Sequence, residues 1–242
     1  MCYFVSAKMS PQEIFQLGED FFRKWEGETF ESLYAVSGFS HPKLPVISSE
    51  GRFRLLHWGL IPHWVGDWNM AKKIRVGTLN AIGETIHSKP AFKGAVQQGR
   101  FCVIPVNGFF EWHHHINNEK YPYFIFPKSG EFFFLAGLFE KWTNSELGDV
   151  YETFTIITSS ANVRMEWIHN AKKRMPVMLN RDEAKLWINP NLSFNEKKNL
   201  LLPSNSDRMN DHAVSKLITS RKESPNQPAV TAPANYPELP LH

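Results

Sequence analysis

The sequence has little of what marks a secreted or a membrane-spanning protein. Its 242 residues include only two cysteines, Cys2 and Cys102, so we exclude a disulfide framework and expect a reducing, cytoplasmic compartment. The longest apolar run, from Phe132 to Phe139, is too short to cross a bilayer and predicts a buried strand. The first residues lack the basic and then apolar pattern of a signal peptide, and we expect no membrane partner.

No sign of charge dominates the chain. The 27 basic and 24 acidic side chains give a net charge of +3, which permits a nucleic-acid partner through a local basic patch but does not argue for one. With 42% hydrophobic and 21% charged residues, the composition is that of a globular protein. Because no internal repeat or linker interrupts it, we predict one domain over residues 1–220. The proline-rich residues 221–242 are predicted to form an extended arm or a disordered tail.

Helix signals occur in three segments. Ser10 is a candidate N-cap with Glu13 three residues later, which predicts a helix over Pro11–Trp25. Asn180 precedes an acidic first turn and predicts a helix through Leu186. A third helix is predicted over residues 194–202.

Short apolar runs separated by Gly, Pro, Asn and Ser clusters fill much of the remaining chain. Such spacing favours a largely antiparallel sheet or barrel. The runs are Phe53–Trp58, Phe101–Pro105, Tyr121–Phe126, Phe132–Leu138 and Thr153–Thr158.

Cys2 directly follows Met1, and its side chain is small enough for an aminopeptidase to remove that methionine. Cys2 would then carry an amine and a thiol on adjacent carbons, which titrate near pH ~7.8 and ~8.5 in model compounds. The amine can condense with an aldehyde, and the thiol can close a five-membered ring on the same carbon. The thiol alone could instead attack an acyl carbon, as in an amidohydrolase with an N-terminal nucleophile. A small structural residue in a first strand is the remaining interpretation.

Three polar residues lie among apolar neighbours. Glu111, between two aromatic residues, is a candidate general base or an exposed strand residue. Asn80 offers both a donor and an acceptor, although alone it is more typical of a turn. His169 titrates near pH ~6.5 and is a candidate acid or base, or a solvated histidine.

Five motifs follow one another in a fixed order. They are Met1-Cys2, the Trp58–Trp64 segment WGLIPHW, the Asn80–Thr85 segment NAIGET, the Gly108–Trp112 segment GFFEW, and Ile168-His169 followed by Arg174-Met175-Pro176-Val177. Together they resemble the SOS-response-associated peptidase family, whose members begin Met-Cys and carry W-G-L-I-P-x-W, N-A-R-x-E-T, G-F-[YF]-E-W and I-H…R-M-P-V. The resemblance runs from Cys2 to about Trp187.

The resemblance implies a compact α+β domain with a curved, mainly antiparallel, barrel-like sheet and flanking helices. It also implies a role in the DNA damage response, in which the protein binds abasic sites in single-stranded DNA. The ring-opened abasic sugar presents an aldehyde, and the N-terminal cysteine condenses with it to a thiazolidine once Met1 has been removed by self-cleavage. We expect no cofactor and no metal, and a monomer associated with the bacterial nucleoid.

By the same resemblance, four residues carry the chemistry. Cys2 is the nucleophile, Asn80 holds the sugar and the cysteine, Glu111 contacts the cysteine amine, and His169 opens the sugar ring as an acid or base. The resemblance also implies DNA contacts at Thr158 and Arg174. From the residues themselves, further expected DNA contacts are Trp58, which could instead be a packing residue, Pro42, and Lys72 and Arg75, which could instead form a solvated patch.

The chain departs from the family pattern in three places. Phe4 and Ile82 occupy positions where the family has arginines that contact phosphates, and each lost phosphate contact lowers the salt-dependent part of DNA affinity. Lys72, Lys73 and Arg75 are candidates to replace them. Four residues separate His169 from Arg174, where the family commonly has one.

Two other functions remain open from the residues alone. One is a Cys2-dependent peptidase or amidase, for which no oxyanion-hole signature is visible. The other is a single-strand-binding module that acts without covalent chemistry. The His113-His114-His115 tract suggests a metal, but neighbouring strand residues point to opposite faces and three consecutive histidines cannot share one ion.

Overall fold

The computed structural model describes residues 1–27, 29–116, 119–129 and 132–239. Within these ranges the strands are β1 Phe4–Ala7, β2 Leu33–Ser37, β3 Lys43–Ser48, β4 Phe53–Trp58, β5 Asn80–Ile82, β6 Phe101–Val106, β7 Gly108–His114, β8 Lys120–Pro127, β9 Phe133–Thr143, β10 Val150–Ser160, β11 Arg174–Pro176, β12 Met178–Leu179 and β13 Met209–Ala213. The helices are α1 Pro11–Asp20, α2 Trp68–Gly77, α3 Pro90–Gln97, α4 Val163–Ile168, α5 Arg181–Trp187 and α6 Phe194–Lys197.

The strands form two sheets. A five-stranded sheet has the order β13-β8-β7-β1-β2, and an eight-stranded sheet has the order β11-β10-β4-β3-β6-β9-β12, with β5 paired to β10. The pairings are antiparallel except those of β10 with β4 and with β5, which are parallel. The predicted α+β class and its mainly antiparallel, barrel-like sheet are confirmed.

Both sheets contribute to one large hydrophobic core. Val5 and Phe109 enter it from the five-stranded sheet, and Val46 and Phe154 enter it from the eight-stranded sheet; all four are fully buried. Because successive side chains of a strand point to opposite faces, Phe110 instead joins a smaller cluster on the other side of β7. This alternation decides which side chains of β7 reach the core.

Helix α1 ends earlier than the predicted Pro11–Trp25. The amide of Arg23 donates to the carbonyl of Gly18 and the amide of Phe22 donates to that of Glu19. These are the two bonds of a Schellman motif. Phe22 has φ +54°, a left-handed conformation that closes the helix after Asp20. The apolar pattern of the sequence continues to Trp25, but the helix itself ends at Asp20, so the predicted helix was too long.

The two later helix predictions fared differently. Asn180 and Glu183 form the predicted capping box, and α5 follows directly. The predicted helix over residues 194–202 is α6 followed by a 3-10 turn, Lys198–Leu201.

The described part of the proline-rich segment, residues 221–239, packs against the domain rather than extending from it. Val230 is fully buried in the smaller cluster, beside Val214 and Ile218. The hydroxyl of Tyr236 donates to the carbonyl of Val214 over 2.9 Å. Residues 240–242 of the predicted tail lie outside the described residues. The domain boundary at residue 220 stays a prediction.

The helices were compared with the length and apolar character of a membrane span. None of those in the described ranges is long and apolar enough to cross a bilayer.

Phe22→Gly is expected to stabilise the protein relative to Phe22→Ala by about 1 kcal/mol. Phe22 is 83% exposed, so both changes remove the same exposed ring. Only glycine relieves the Cβ clash of the left-handed conformation. Urea unfolding of both variants measures the difference. A glycine variant less stable than the alanine variant, as at an ordinary helical position, would contradict the Schellman assignment.

Candidate functional site around the N-terminus

Pairing of β1 with β7 brings the N-terminus to Glu111. Phe4 is opposite Phe110 in the antiparallel register, so the residues before Phe4 run alongside Glu111. The Met1 amine forms an ion pair with Oε1 of Glu111 at 3.3 Å. A sheet register thus fixes the start of the chain against one carboxylate.

Glu111 is buried because of its place in β7. It lies two residues after Phe109 and therefore points to the same, core-facing side; only 3% of its surface is exposed. Burial raises the pKa of Glu111 to about 8, although the Met1 amine partly lowers it. The carboxyl group is thus poised to hold a proton near neutral pH.

Asn80 opens β5, which is held in place by parallel pairing with β10. Its Nδ2 donates to the carbonyl oxygen of Cys2 over 2.8 Å. Its Oδ1 is buried and accepts no hydrogen bond from the described residues. Asn80 therefore fixes the backbone of Cys2 and keeps one acceptor available in the site.

His169 caps the end of α4, whose start is fixed by the Asn162 side chain. The additional residues before Arg174 fold into a turn in which the Lys173 amide donates to the His169 carbonyl over 2.8 Å. The ring Nδ1 is 2.8 Å from the Arg174 carbonyl, and Nε2 is 3.6 Å from Oε2 of Glu111. The longer spacing thus does not remove His169 from the site.

The imidazole of His169 is kept neutral. Burial and the Met1 amine, which is 3.3 Å from both ring nitrogens, together lower the pKa of His169 to about 4. Because a carbonyl accepts from Nδ1, the neutral ring carries its proton there. Nε2 then faces Glu111 as an acceptor.

The Cys2 thiol is completely buried while Met1 is present. Burial raises the pKa of this thiol well above its usual value, and the Glu111 charge raises it further. A thiol is a weak nucleophile when it stays protonated. With Met1 in place, the thiol is thus unreactive, and the amine that contacts Glu111 and His169 is that of Met1 and not that of Cys2.

Arg174 and Thr158 lie beside this cluster but are already engaged. Arg174 forms a two-pronged ion pair with Glu84, at 2.7 and 2.8 Å, and it also donates to the Thr158 carbonyl over 2.6 Å. Thr158 is fully buried, and its hydroxyl donates to the carbonyl of Ala81. A phosphate at Arg174 would have to displace or share Glu84, a pairing that the sequence did not indicate.

The remaining predicted DNA contacts differ in exposure. Trp58 is fully buried, stacks on Phe154 and donates to the Leu79 carbonyl over 2.8 Å, so it has no face to offer a base and the expected contact is corrected. Pro42 is half-buried, Lys72 is exposed on α2, and Arg75 is buried. The DNA contacts of Pro42, Lys72 and Arg75 stay predictions.

Two grooves meet at Met1. One, of about 440 Å³, is lined by Glu111 and His169 together with His114, Lys120 and Lys172. The other, of about 410 Å³, is mostly apolar and reaches from Asn80 past Ile82 to Trp64 and Phe92. Trp64 is 45% exposed. The second groove was not predicted, although the exposed indole belongs to one of the motifs.

The histidine tract is not arranged as a metal site. His113 is buried, stacks on Trp167 at 4.3 Å and bonds the Trp167 carbonyl through Nδ1. In the described part of the chain, no three His, Cys, Asp or Glu side chains converge as metal ligands would.

The fold and this site define an α+β protein whose N-terminal amine and cysteine are enclosed by a carboxyl group, an imidazole and an amide. The chain belongs to the family described as SOS response associated peptidase (SRAP), whose family model matches residues 1–221. The resemblance drawn from the motifs is confirmed.

Named relatives and solved structures agree with this assignment. "Abasic site processing protein YoaM" of Bacillus subtilis is 41% identical over 73% of this chain and 74% of its own length. "Abasic site processing protein HMCES" of Xenopus tropicalis is 32% identical over 74% of this chain, which spans only 57% of that relative. A crystal structure of a protein from Bacteroides thetaiotaomicron has a TM-score of 0.87 and 33% identity, and covers 97% of this chain and 100% of its own.

Glu111 is expected to make stability fall as pH rises between about 4.5 and 8. The folded carboxyl has the raised pKa, so the folded state binds more protons than the unfolded state in that range. The slope is at most about 1.4 kcal/mol per pH unit. Glu111→Gln should flatten this dependence and be more stable than its parent at pH 8.

Urea unfolding at several pH values, in a Cys2→Ala background with the same N-terminus verified by mass, measures the slope. An unchanged slope in Glu111→Gln would show that this carboxyl titrates normally.

Proposed function

We propose that this protein captures abasic sites in single-stranded DNA by a covalent bond to Cys2 after Met1 has been removed. One observation carries the proposal: Glu111 and His169 hold an N-terminal amine directly beside Cys2, whose backbone Asn80 fixes. Relatives named abasic site processing proteins support it. A cysteine with a free amine is the residue that can bind an aldehyde through two atoms.

Removal of Met1 is the first step. Hydrolysis of the Met1–Cys2 peptide bond consumes one water and leaves methionine and a new amine on Cys2. Consecutive Cα atoms are about 3.8 Å apart, so the new amine starts within one residue of Glu111 and His169. We propose that the protein removes Met1 by self-cleavage, because the bond already lies against an acid–base pair.

Capture of the aldehyde releases one water. The Cys2 amine adds to the C1′ aldehyde carbon of the ring-opened abasic sugar, and the resulting carbinolamine loses water to give an imine. The thiol sulfur then adds to the imine carbon, and its proton goes to the nitrogen. The product is a thiazolidine in which nitrogen and sulfur share one carbon.

Burial is the main cause that raises the pKa of Glu111 and lowers that of His169 while Met1 is present. We propose that both directions persist after Met1 has left and assign different roles to the two groups. A neutral His169, with Nε2 unprotonated, accepts the proton that the attacking amine must lose. A protonated Glu111 donates to the oxygen that leaves the sugar or the carbinolamine. This reverses the roles expected from ordinary pKa values, in which the carboxylate is the base.

The available acceptor of Asn80 suits the sugar. Oδ1 is buried and has no donor from the described residues, and a deoxyribose hydroxyl would supply one. The apolar groove past Ile82 and Trp64 suits the neighbouring nucleobase, because an exposed indole can stack on any base.

Cys2→Ala is expected to abolish crosslinking to a single-stranded oligonucleotide that carries one abasic site. The matched control is Cys102→Ala, which removes the other buried thiol and should crosslink like the wild type. A denaturing gel detects the covalent product, after intact mass has verified that Met1 is absent.

Two results would contradict the proposal: no crosslink with processed wild type, or an undiminished one with Cys2→Ala. Cleavage of added peptides without crosslinking would favour a peptidase instead. Salt-sensitive binding of undamaged strands alone would favour a binding module.

Asn80→Ala is expected to slow crosslinking by about tenfold to a hundredfold, because loss of one buried hydrogen-bonding group costs about 1–3 kcal/mol. Single-turnover kinetics at saturating protein measures the rate. Non-covalent affinity for an undamaged strand should change little, since the amide faces the cysteine. A wild-type rate in Asn80→Ala would remove this residue from the mechanism.

A further inference from the structure

Arg75 is a buried cation that forms no ion pair with the described residues. It lies in α2 with only 8% of its surface exposed. Its Nε and Nη2 are buried and have no hydrogen-bond partner in the described part of the chain. A guanidinium has five donors and stays charged, and leaving it unpaired is costly. Such an arrangement is typical of a group whose partner arrives from outside.

The side chains around Arg75 are also basic. Lys43 and His57 are opposite each other in the register of β3 and β4. Nδ1 of His57 is 3.3 Å from the His41 carbonyl, and Nδ1 of His41 is 2.8 Å from the Trp58 carbonyl. Burial lowers the pKa of His57, and the charges of Arg75, Lys43 and His41 lower it further.

Among the described residues, no acidic side chain pairs with this cluster. Tyr151 has its ring 6.1 Å from that of His57, and its phenol group partly offsets the lowering of the Arg75 pKa by burial. The carboxylate of the next residue, Glu152, is paired with Arg54. The cluster of Arg75, Lys43, His41 and His57, called the basic cluster below, therefore lacks an anion.

Gly59 makes this convergence possible. Its φ of +110° is a conformation that favours glycine. A Cβ there would lie 2.7 Å from Nδ1 of His41 and 2.9 Å from the Arg75 carbonyl. Glycine thus lets the end of α2 and the His41 loop approach each other closely, so the backbone fixes the positions of His41 and Arg75 relative to each other.

We propose that the basic cluster binds a phosphodiester group of the DNA strand, with Arg75 as its central donor. The inference rests on the proposed function, because the strand that reaches Cys2 is what supplies the phosphate. The loop with His41 begins at Phe39, which is 53% exposed and packs on Tyr3 with ring centroids 4.9 Å apart. The proposal requires the strand to leave the cysteine past Phe39, toward the loop that carries His41.

The site accounts for the two missing arginines. Phe4 packs against Trp112, and Ile82 lines the apolar groove, so neither position offers a phosphate contact. Arg174 is neutralised by Glu84. A guanidinium without a carboxylate partner is then the stronger donor for a phosphate, which it can bind in a two-pronged geometry.

Arg75→Met tests this through the salt dependence of binding to an undamaged single strand. Each phosphate contact contributes a slope of about −0.7 in log K against log salt for single strands. The variant should bind more weakly and its slope should be shallower by about 0.7. Arg221→Met, an exposed arginine outside the cluster, is the matched control and should leave the slope unchanged.

Thermal unfolding without DNA separates this role from a structural one. Removing an unpaired buried charge should raise the melting temperature of Arg75→Met. A lower melting temperature together with an unchanged slope would overturn the proposal. If Arg75→Met does not fold, the exposed Lys43→Met provides the same slope test, and an unchanged slope there overturns the proposal as well.

Two further arms identify the source of the phosphate. In the first, inorganic phosphate is added at constant ionic strength and thermal unfolding is measured. If phosphate stabilises the wild type but not Arg75→Met, and the variant shows no change in the salt slope of strand binding, the ligand is a free phosphate and the strand assignment is overturned. Crosslinking to an abasic strand is scored in parallel. A slope change without any crosslink refutes the proposed covalent capture alone, and crosslinking with an unchanged slope refutes the basic cluster alone.

Discussion

The contact between the N-terminal amine and the Glu111 carboxyl constrains the rest of the site. Strand alternation in β7 places Glu111 on the core side, where an isolated carboxylate is costly to ionise. The amine at 3.3 Å offsets part of that cost, and protonation of the carboxyl offsets the rest. His169 completes the arrangement from α4. The contact with Glu111 therefore holds the start of the chain in the site.

This constraint links folding to reactivity. While Met1 is present, its amine occupies the acid–base pair and the Cys2 thiol is buried and protonated. Loss of Met1 would bring the amine of Cys2 toward the same pair. Under the proposed function, the form with Met1 is an unreactive precursor, and hydrolysis of one peptide bond would expose the amine and the thiol of Cys2 together.

The sequence was sufficient for the class of fold. The ordered motifs also named Cys2, Asn80, Glu111 and His169, which the structure brings together, while their roles stay predictions. It was not sufficient where contacts join distant segments. Nothing local to Phe22 predicts a left-handed helix end without glycine. The burial of Trp58 and the pairing of Arg174 with Glu84, 90 residues apart, depend on tertiary packing. The unpaired charge of Arg75 is visible only when its surroundings are known.

The central claim is that the amine and the thiol of Cys2 end on the same carbon of the abasic sugar. ¹³C NMR of a crosslink made with an oligonucleotide labelled at C1′ of the abasic site tests it most directly. The account predicts a tetrahedral carbon bonded to one nitrogen and one sulfur. An imine carbon, a carbon bonded to sulfur and oxygen, or a label that stays an aldehyde would contradict it.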